Sequence, residues 1–165
     1  MLYLLDADTL IRGDRDFYPL ARFPVFWRWL IHQGQSSQVK IPLEQYEEIT
    51  AGSGDLVEWL CEQEVRDALL LNEEADPALV TAVIDSGYGQ LNEDEIELVG
   101  RDPFLISYAL SDVADRTIVT FEVSAPNQCR GKRKIPDACK PFDIACCNLY
   151  GLIAELDFTT DWQPR

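Results

Sequence analysis

The sequence predicts a three-layer α/β/α fold in which helices cover a central parallel sheet of about four strands. Short apolar runs alternate with longer segments of helical periodicity, which is typical of strand and helix units around a parallel sheet. Of the 165 residues 47% are hydrophobic, so the chain can bury one sizeable core, and we expect a single domain over residues 1–165. The four apolar runs with the length of strands are residues 2–5, 38–41, 117–121 and 144–149.

Helical segments separate the predicted strands. Residues 24–31 have Pro24 near their start, aromatic and apolar packing residues within them, and Gly34 as the expected stop. Residues 124–133 lack periodicity and contain Pro, Asn and Gly, so they predict an exposed loop. The other helices are expected at residues 42–50, 56–71, 77–86 and 103–110.

The charge balance is strongly acidic. There are 29 Asp and Glu residues against 14 Lys and Arg, which gives a formal net charge of -15. Such a protein repels a phosphate backbone unless cations or a local basic patch intervene. Clustered carboxylates that hold divalent cations would contribute to the same imbalance.

The cysteines argue against a disulfide or zinc framework, and the hydropathy argues against a membrane protein. The five cysteines are odd in number and form no CxxC pair, and His32 is the sole histidine, so neither a disulfide framework nor a structural zinc site is expected. The first apolar run stops at Asp6, and no long apolar span follows. We therefore expect a cytoplasmic protein with reduced thiols and no membrane partner.

Acidic residues directly follow the first predicted strand. Ligand sites of open α/β sheets collect at the carboxyl ends of strands, where Asp6 and Asp8 stand. The strand fixes the position of such an acid while the loop beyond it admits solvent, which suits a metal ligand. The alternative is that these residues form a turn or cap a helix.

Three glutamates, Glu44, Glu47 and Glu48, lie on the helix after the second strand. The alternative to a functional role is a solvated helix face. Helical geometry does not choose among them, although Glu47 is nearer the core boundary if the apolar residues at positions 43, 46 and 49 face inward.

Other acids stand at the ends of later elements. Asp102 precedes Pro103 and an apolar helix, so helix capping is the alternative explanation for it, whereas Asp76 before Pro77 is expected to act only as a cap. Glu122 follows the third strand, and Asp137 precedes the fourth. Each acid has a structural explanation when taken alone, and it is their recurrence along the chain that indicates a shared site.

This order of motifs resembles the PIN-domain ribonuclease family, which includes toxins of the VapC type. The resemblance covers nearly the whole chain and selects Glu48 over Glu47 by the distance to Gly52, with Glu47 and Glu44 in reserve. The motifs that carry it are Leu4-Leu5-Asp6, Glu48-Ile49-Thr50-Ala51-Gly52, Asp102-Pro103-Phe104-Leu105-Ile106 and Thr120-Phe121-Glu122.

The resemblance implies a PIN-like fold and hydrolysis of RNA at a carboxylate site that holds Mg²⁺ or Mn²⁺. Asp6 and Asp102 would bind the metal directly, and Glu48 would complete the site or orient the attacking water. The family has a hydroxyl residue where Asp8 stands, which makes Asp8 an extra ligand. It has Asp where Glu122 stands, so Glu122 is the fourth acid or Asp137 replaces it.

The resemblance also implies the biological setting. Family members cleave RNA to leave a 5′-phosphate and a 3′-hydroxyl, and many are toxins held by a small antitoxin protein. We therefore expect an RNA substrate, a cognate antitoxin and a homodimer for this chain.

A short basic segment could supply the phosphate contacts that the rest of the acidic surface cannot. Arg130, Lys132, Arg133 and Lys134 fall together, directly before Asp137. A basic run in a loop is otherwise simply solvated. The remaining candidates for RNA contact are Arg12, Arg15 and Arg22.

Two other functions fit parts of the pattern. Asp6-Ala7-Asp8 after an apolar strand also begins the haloacid-dehalogenase phosphatases, but these require a Lys, and none lies between Lys40 and Lys132. The second alternative is a PIN-like module without turnover that only binds RNA or a protein. The net charge favours such a module, and the acid at every expected strand end argues against it.

Overall fold

A four-stranded, all-parallel sheet lies at the centre of the fold, as the sequence predicts. In the computed structural model, which describes residues 1–164, the strands are β1 (Leu2–Leu5), β2 (Val39–Lys40), β3 (Arg116–Val119) and β4 (Ala145–Cys147). Their order across the sheet is β2-β1-β3-β4. The predicted strands were each in the right place, and those after β1 are shorter than expected.

The strand register brings the carboxyl ends of β1, β3 and β4 to one level. Leu5 pairs with Val119, and Val119 pairs in turn with Cys147. The residues that follow these strands, Asp6 and Thr120, therefore lie side by side at the same edge of the sheet.

Helices connect the strands and cover both faces of the sheet. Short π-helical segments continue the first and sixth α-helices at Gly13–Phe17 and Val83–Tyr88. The α-helices are α1 (Ala7–Arg12), α2 (Pro24–Gln35), α3 (Leu43–Thr50), α4 (Asp55–Leu60), α5 (Gln63–Leu69), α6 (Pro77–Ala82), α7 (Glu93–Val99), α8 (Asp102–Leu110), α9 (Ile135–Cys139) and α10 (Leu149–Glu155).

Two apolar cores, one on each face of the sheet, make the three layers. Alternate side chains of a strand point to opposite faces, so Tyr3 and Leu5 pack with α1 to α5 and α10. Leu4 and Ile118 pack on the other face, against α7, α8, α9 and the segment Val83–Tyr88. The predicted α/β/α layering is confirmed.

Aromatic residues of α2 fill the first core. Phe26 stacks on Tyr18 with ring centroids 4.4 Å apart, and Trp27 meets Trp59 at 4.8 Å. The helix approaches α5 so closely at Gly34 that a Cβ there would lie 2.6 Å from the Ala68 carbonyl oxygen. Gly34 is therefore needed for helix contact, and α2 continues past it to Gln35.

The single helix predicted over residues 56–71 is wrong, because the segment forms α4 and α5 with a break between them. The Tyr46 hydroxyl donates to the Leu60 carbonyl at 2.9 Å and so satisfies an acceptor at the end of α4. After α5 the chain becomes extended and bridges Ile41 at the sheet edge. A straight helix could not make both contacts.

Other boundaries also differ from the sequence prediction. The strand expected over residues 144–149 ends at Cys147, because Asn148 caps α10 by accepting from the Gly151 amide at 3.0 Å. Four short helices, α1, α7, α9 and α10, were not predicted. Residues 124–133 form the expected loop, apart from one 3₁₀ turn at Arg130–Lys132.

The thiols and the helix lengths bear on two further expectations. All five cysteines are free in the structure. Within residues 1–164, no helix combines the length and the apolar character needed to cross a bilayer.

Candidate active site

Asp6 lies at the carboxyl end of β1 and is almost fully buried, with 7% of its surface exposed. Its amide donates to the Val119 carbonyl at 3.0 Å, which joins it to β3. Asp6 precedes α1, but its side chain does not cap that helix. The carboxylate instead accepts a hydrogen bond from the Thr120 hydroxyl at 2.8 Å. The capping explanation for Asp6 is therefore wrong.

Burial and neighbouring acids make Asp6 hard to ionise. Burial is the main reason that its pKa is raised to about 6, and the hydrogen bond from Thr120 offsets only part of this effect. The charges of Asp8, Glu122 and Glu48 raise the pKa further. A nearby cation would therefore stabilise the ionised form of this buried carboxylate.

Asp102 is the first residue of α8 and does not cap it either, since Arg101 occupies the capping position. Burial raises the pKa of Asp102 to about 8, with further contributions from Asp6, Glu122 and Glu48 and a partial offset from Lys134. Asp76, by contrast, accepts from the Ala78 amide at 2.8 Å and caps α6 as predicted. The two Asp-Pro sequences thus have different roles.

Arg101 joins α3 to the start of α8. Its guanidinium donates to the Glu44 carbonyl at 2.7 Å and to the Glu47 carboxylate at 2.8 Å. Its carbonyl accepts from the buried Gln45 side chain at 3.1 Å. Glu47 is therefore held by Arg101, whereas the charge of Glu48 acts on both buried aspartates.

The orientation of α3 differs from the one in which positions 43, 46 and 49 all face the core. Leu43 lies on the outer side of the helix and is 38% exposed, whereas Gln45 is buried. Glu48 is exposed, and its charge raises the pKa of both Asp6 and Asp102. The choice of Glu48 over Glu47, made from the motif, stays a prediction.

Glu122 and Asp8 flank the two aspartates and have partners of their own. Glu122 accepts from the Lys134 ammonium and the Ile135 amide, both at 2.7 Å. Asp8 is exposed and lies 3.8 Å from the guanidinium of Arg12. Both acids therefore contribute negative potential while part of their charge is compensated.

Asp137 lies in a different arrangement. It is buried and accepts from the Ser124 hydroxyl at 2.5 Å, the Ala125 amide at 2.6 Å and the Lys140 ammonium at 2.6 Å. Burial opposes its ionisation, but these donors lower its pKa to about 2. Asp137 thus holds the loop after β3, and its oxygens are already engaged.

Three of the four predicted basic residues line a cleft together with Asp102. The cleft measures about 240 Å³, and Lys132, Arg133 and Lys134 share its wall with Asp102 and Glu122. Lys134 bonds to Glu122, and Arg133 donates to the Gly87 carbonyl at 2.6 Å.

Arg130 points elsewhere. Its guanidinium binds the Glu95 carboxylate on α7 through two hydrogen bonds, of 2.7 and 2.5 Å. The loop sequence therefore contributes two kinds of cation. Arg130 binds the loop to α7, and the three basic residues that follow it line the cleft with Asp102 and Glu122.

The acids are neighbours, but they do not form a closed cage. Among residues 1–164, no three His, Cys, Asp or Glu side chains are placed to hold one metal ion between them. Mg²⁺ usually keeps several waters and takes only one or two protein carboxylates. The two buried aspartates match that smaller requirement.

Two residues that shape the site, Thr120 and Arg101, had no predicted role, although Thr120 stands in the motif that ends at Glu122. Thr120 follows β3 as Asp6 follows β1, so adjacent parallel strands would have signalled the contact. Arg101 is separated by more than fifty residues from its partners Glu44 and Glu47. No local pattern could have indicated that contact.

Comparisons with known proteins give one result. No curated protein and no solved structure matches this chain. One family model, described as a domain of unknown function (DUF4411), matches residues 3–160. Because the match spans nearly the whole sequence, the chain belongs to the DUF4411 family.

Proposed function

We propose that this protein is a metal-dependent endoribonuclease related to the PIN-domain enzymes. The observation that carries the proposal is the pair of buried aspartates, Asp6 and Asp102, at the carboxyl edge of the sheet. Neither caps a helix, and both have a raised pKa. Structural carboxylates of this burial are normally surrounded by donors or cations. In the described part of the chain, Asp137 has three such donors, whereas Asp6 has one, the Thr120 hydroxyl.

The donor chemistry fits a hard divalent cation. Carboxylate oxygens are the ligands of Mg²⁺ and Mn²⁺ in proteins. Asp6 and Asp102 would hold the ion, with Glu48 at its outer side and Glu122 next to Lys134. Bound there, the metal would lower the pKa of a water and neutralise charge on the phosphoryl oxygens.

The remaining residues would orient the metal ligands and bind the RNA. Thr120 donates to one oxygen of Asp6 and so fixes the rotation of that carboxylate. Lys132 and Arg133 line the adjoining cleft and would contact RNA phosphates. Glu48 is exposed and can accept a proton from water at the entrance to the site. The product expected from this chemistry has a 5′-phosphate and a 3′-hydroxyl.

The same resemblance extends the proposal to a toxin that a cognate antitoxin protein inhibits, and to a homodimer. An antitoxin would have to neutralise a site with acids at its base and cations along one wall. A bound acidic or basic peptide segment could do so from the Lys132 side or the Glu48 side respectively.

The proposal is tested by sequencing RNA ends after brief expression of wild type and of D6N. We expect ends with a 5′-phosphate in the wild-type sample alone. Purified protein should reproduce the cleavage with Mg²⁺ or Mn²⁺ and lose it with a chelator. Identical RNA ends in both samples, together with no cleavage by purified wild type, would contradict the proposal.

A binding module without turnover is the second candidate, and the net charge of -15 favours it. Such a module would bind RNA equally well with and without divalent metal and leave its length unchanged. The haloacid-dehalogenase phosphatase fits less well, because the principal charges around Asp6 are acidic. Its phosphoryl intermediate would need a lysine there.

A further inference from the structure

A tyrosine hydroxyl is buried beside the acidic centre without a hydrogen-bond partner. Tyr88 is 2% exposed, and its Oη has no partner among residues 1–164. Buried hydroxyls nearly always have a partner, because losing water without replacement destabilises the folded state. An isolated one in a native protein calls for an explanation.

The neighbours of Tyr88 identify its location. Tyr88 packs in the second core against α8, the helix that begins at Asp102. Burial is the main reason that the pKa of its phenol is raised, followed by the charges of Asp102, Cys139, Glu122 and Asp6. A phenol is protonated at neutral pH, so its hydroxyl can donate a hydrogen bond to an anion or a water. The same three carboxylates belong to the proposed metal centre.

The backbone around Tyr88 is unusual and well fixed. The residues Val83–Tyr88 form a π-helical segment, a geometry often found at functional sites. A wider helical turn brings residues five apart onto one side, and both Val83 and Tyr88 are buried in the second core. Gly89, with a φ of 93°, ends the segment.

Contacts to the cleft hold this segment in place. The Gly87 carbonyl accepts from Arg133 at 2.6 Å, and Arg133 lines the cleft that contains Asp102. On its other side, a Cβ on Gly87 would lie 3.1 Å from the Ala138 carbonyl oxygen of α9. The position of Tyr88 is thus set by the elements that form the site.

We propose that Tyr88 is a positioning residue of the acidic centre, whose hydroxyl donates a hydrogen bond to a metal-bound water beside Asp102. This inference rests on the proposed function for its catalytic consequence, but its effect on metal binding is independent of RNA cleavage. A donor beside a metal-bound water orients it and strengthens metal binding, and losing such a donor typically weakens binding about 10- to 100-fold.

The test compares Y88F with Y108F. Each substitution removes one phenolic oxygen from a buried tyrosine and keeps the ring. Tyr108 is 3% exposed and lies at the far end of α8 from Asp102, where its hydroxyl donates to the Glu73 carbonyl at 3.4 Å. The control therefore changes the same group outside the site.

Two measurements are made on each protein. Calorimetric titration with Mn²⁺ should give a dissociation constant at least tenfold higher for Y88F than for wild type and unchanged for Y108F. The melting temperature without metal should be equal or higher for Y88F, because an unpartnered buried hydroxyl is removed. In RNA cleavage with saturating metal, kcat should fall for Y88F while KM stays near the wild-type value.

The outcomes separate the two proposals. Equal Mn²⁺ affinity in Y88F and wild type overturns the role of Tyr88, whether or not RNA is cut. A selective loss of Mn²⁺ affinity in Y88F, with wild type that never cleaves RNA, supports Tyr88 and refutes the ribonuclease. Wild type that binds no Mn²⁺ overturns both.

Discussion

Asp6 and Asp102 make the stability of the metal-free protein fall as pH rises. Their folded pKa values, about 6 and about 8, lie above the value of about 4 in an unfolded chain. The folded state therefore binds protons more tightly, and its advantage is lost as pH rises through these values. Asp137, with a pKa near 2, has the opposite effect, but only below about pH 4.

We expect the melting temperature in a chelator to decrease between pH 5 and pH 8. D102N should flatten this decrease, and D6N should be more stable than wild type above pH 6 by up to about 3 kcal/mol. The exposed substitution D94N changes net charge equally and should retain the wild-type profile. A wild-type melting temperature that rises steadily over this range would show that the two aspartates ionise freely.

Glu47 and Glu48 are adjacent but differ in their partners, which allows a matched comparison. E48Q should reduce metal-dependent RNA cleavage by at least tenfold, because its charge acts on both buried aspartates. E47Q removes an exposed ion pair with Arg101 and should change stability by less than about 1 kcal/mol. The measurement is the initial rate of RNA cleavage. An inactive E47Q and an active E48Q would assign the role in cleavage to Glu47 instead of Glu48.

At the scale of elements, the basic loop is held against α7 through Gly131. A Cβ at this position would lie 2.9 Å from the Glu95 Cβ and 3.1 Å from its Cα, so the backbone of the loop would have to move. G131A should therefore destabilise the protein by about 1–3 kcal/mol and weaken RNA binding. Urea unfolding and RNA titration measure the two effects.

The control is G13A. Its Cβ would meet only the Leu149 Cδ2, at 3.8 Å, and Gly13 has a helical φ of -53°. This alanine should be neutral or mildly stabilising. If G131A matched G13A in both measurements, the close packing of the loop on α7 would have no energetic importance.

The elements also show what could be predicted from sequence. The strand ending at Leu5 and the acid after it were predictable, since both depend on an apolar run and its boundary. The face of α3 that is buried could not be predicted, because it depends on the contact between Gln45 and Arg101, which forms only in the folded chain. The short helices α7 and α9 also lacked a long periodic signal.

The site residues were likewise predictable in part from the sequence. Asp6, Asp102 and Glu122 came from their places after strands or before a helix. Asp137 looked equivalent to Glu122 in the sequence, and the structure gives it three donors against two for Glu122. The number of donors around each carboxylate depends on tertiary contacts, so the sequence left both acids as candidates.

At the scale of the whole molecule, metal binding should be visible as added stability. A cation that relieves repulsion in the folded state, and has no such site in the unfolded chain, raises the melting temperature. Mg²⁺ or Mn²⁺ should therefore raise it more for wild type than for D6N or D102N. Equal shifts in all three proteins, measured by differential scanning calorimetry, would remove the site.

The net charge of -15 makes RNA binding depend on where the cations stand. In an inactive D6N background, replacing Lys132 and Arg133 with Ser should lower the salt slope of RNA binding by about two. R130S should lower it less, because Arg130 is bound to Glu95. An unchanged slope in the double variant would place the contact elsewhere, with Arg12, Arg15 and Arg22 as the remaining candidates.

The bridge between Ile41 and Leu70 has a consequence for assembly. Ile41 donates to the Leu69 carbonyl at 2.7 Å, and Leu71 donates to the Ile41 carbonyl at 2.9 Å. The Lys40 ammonium, at the end of β2, also donates to the Ala68 carbonyl at 2.6 Å. Exposed strand edges recruit strands from other chains and so promote aggregation. The sheet edge directly after β2 is thus occupied by this chain's own backbone. A subunit or inhibitor that added a strand at Ile41 would first have to displace the segment around Leu70.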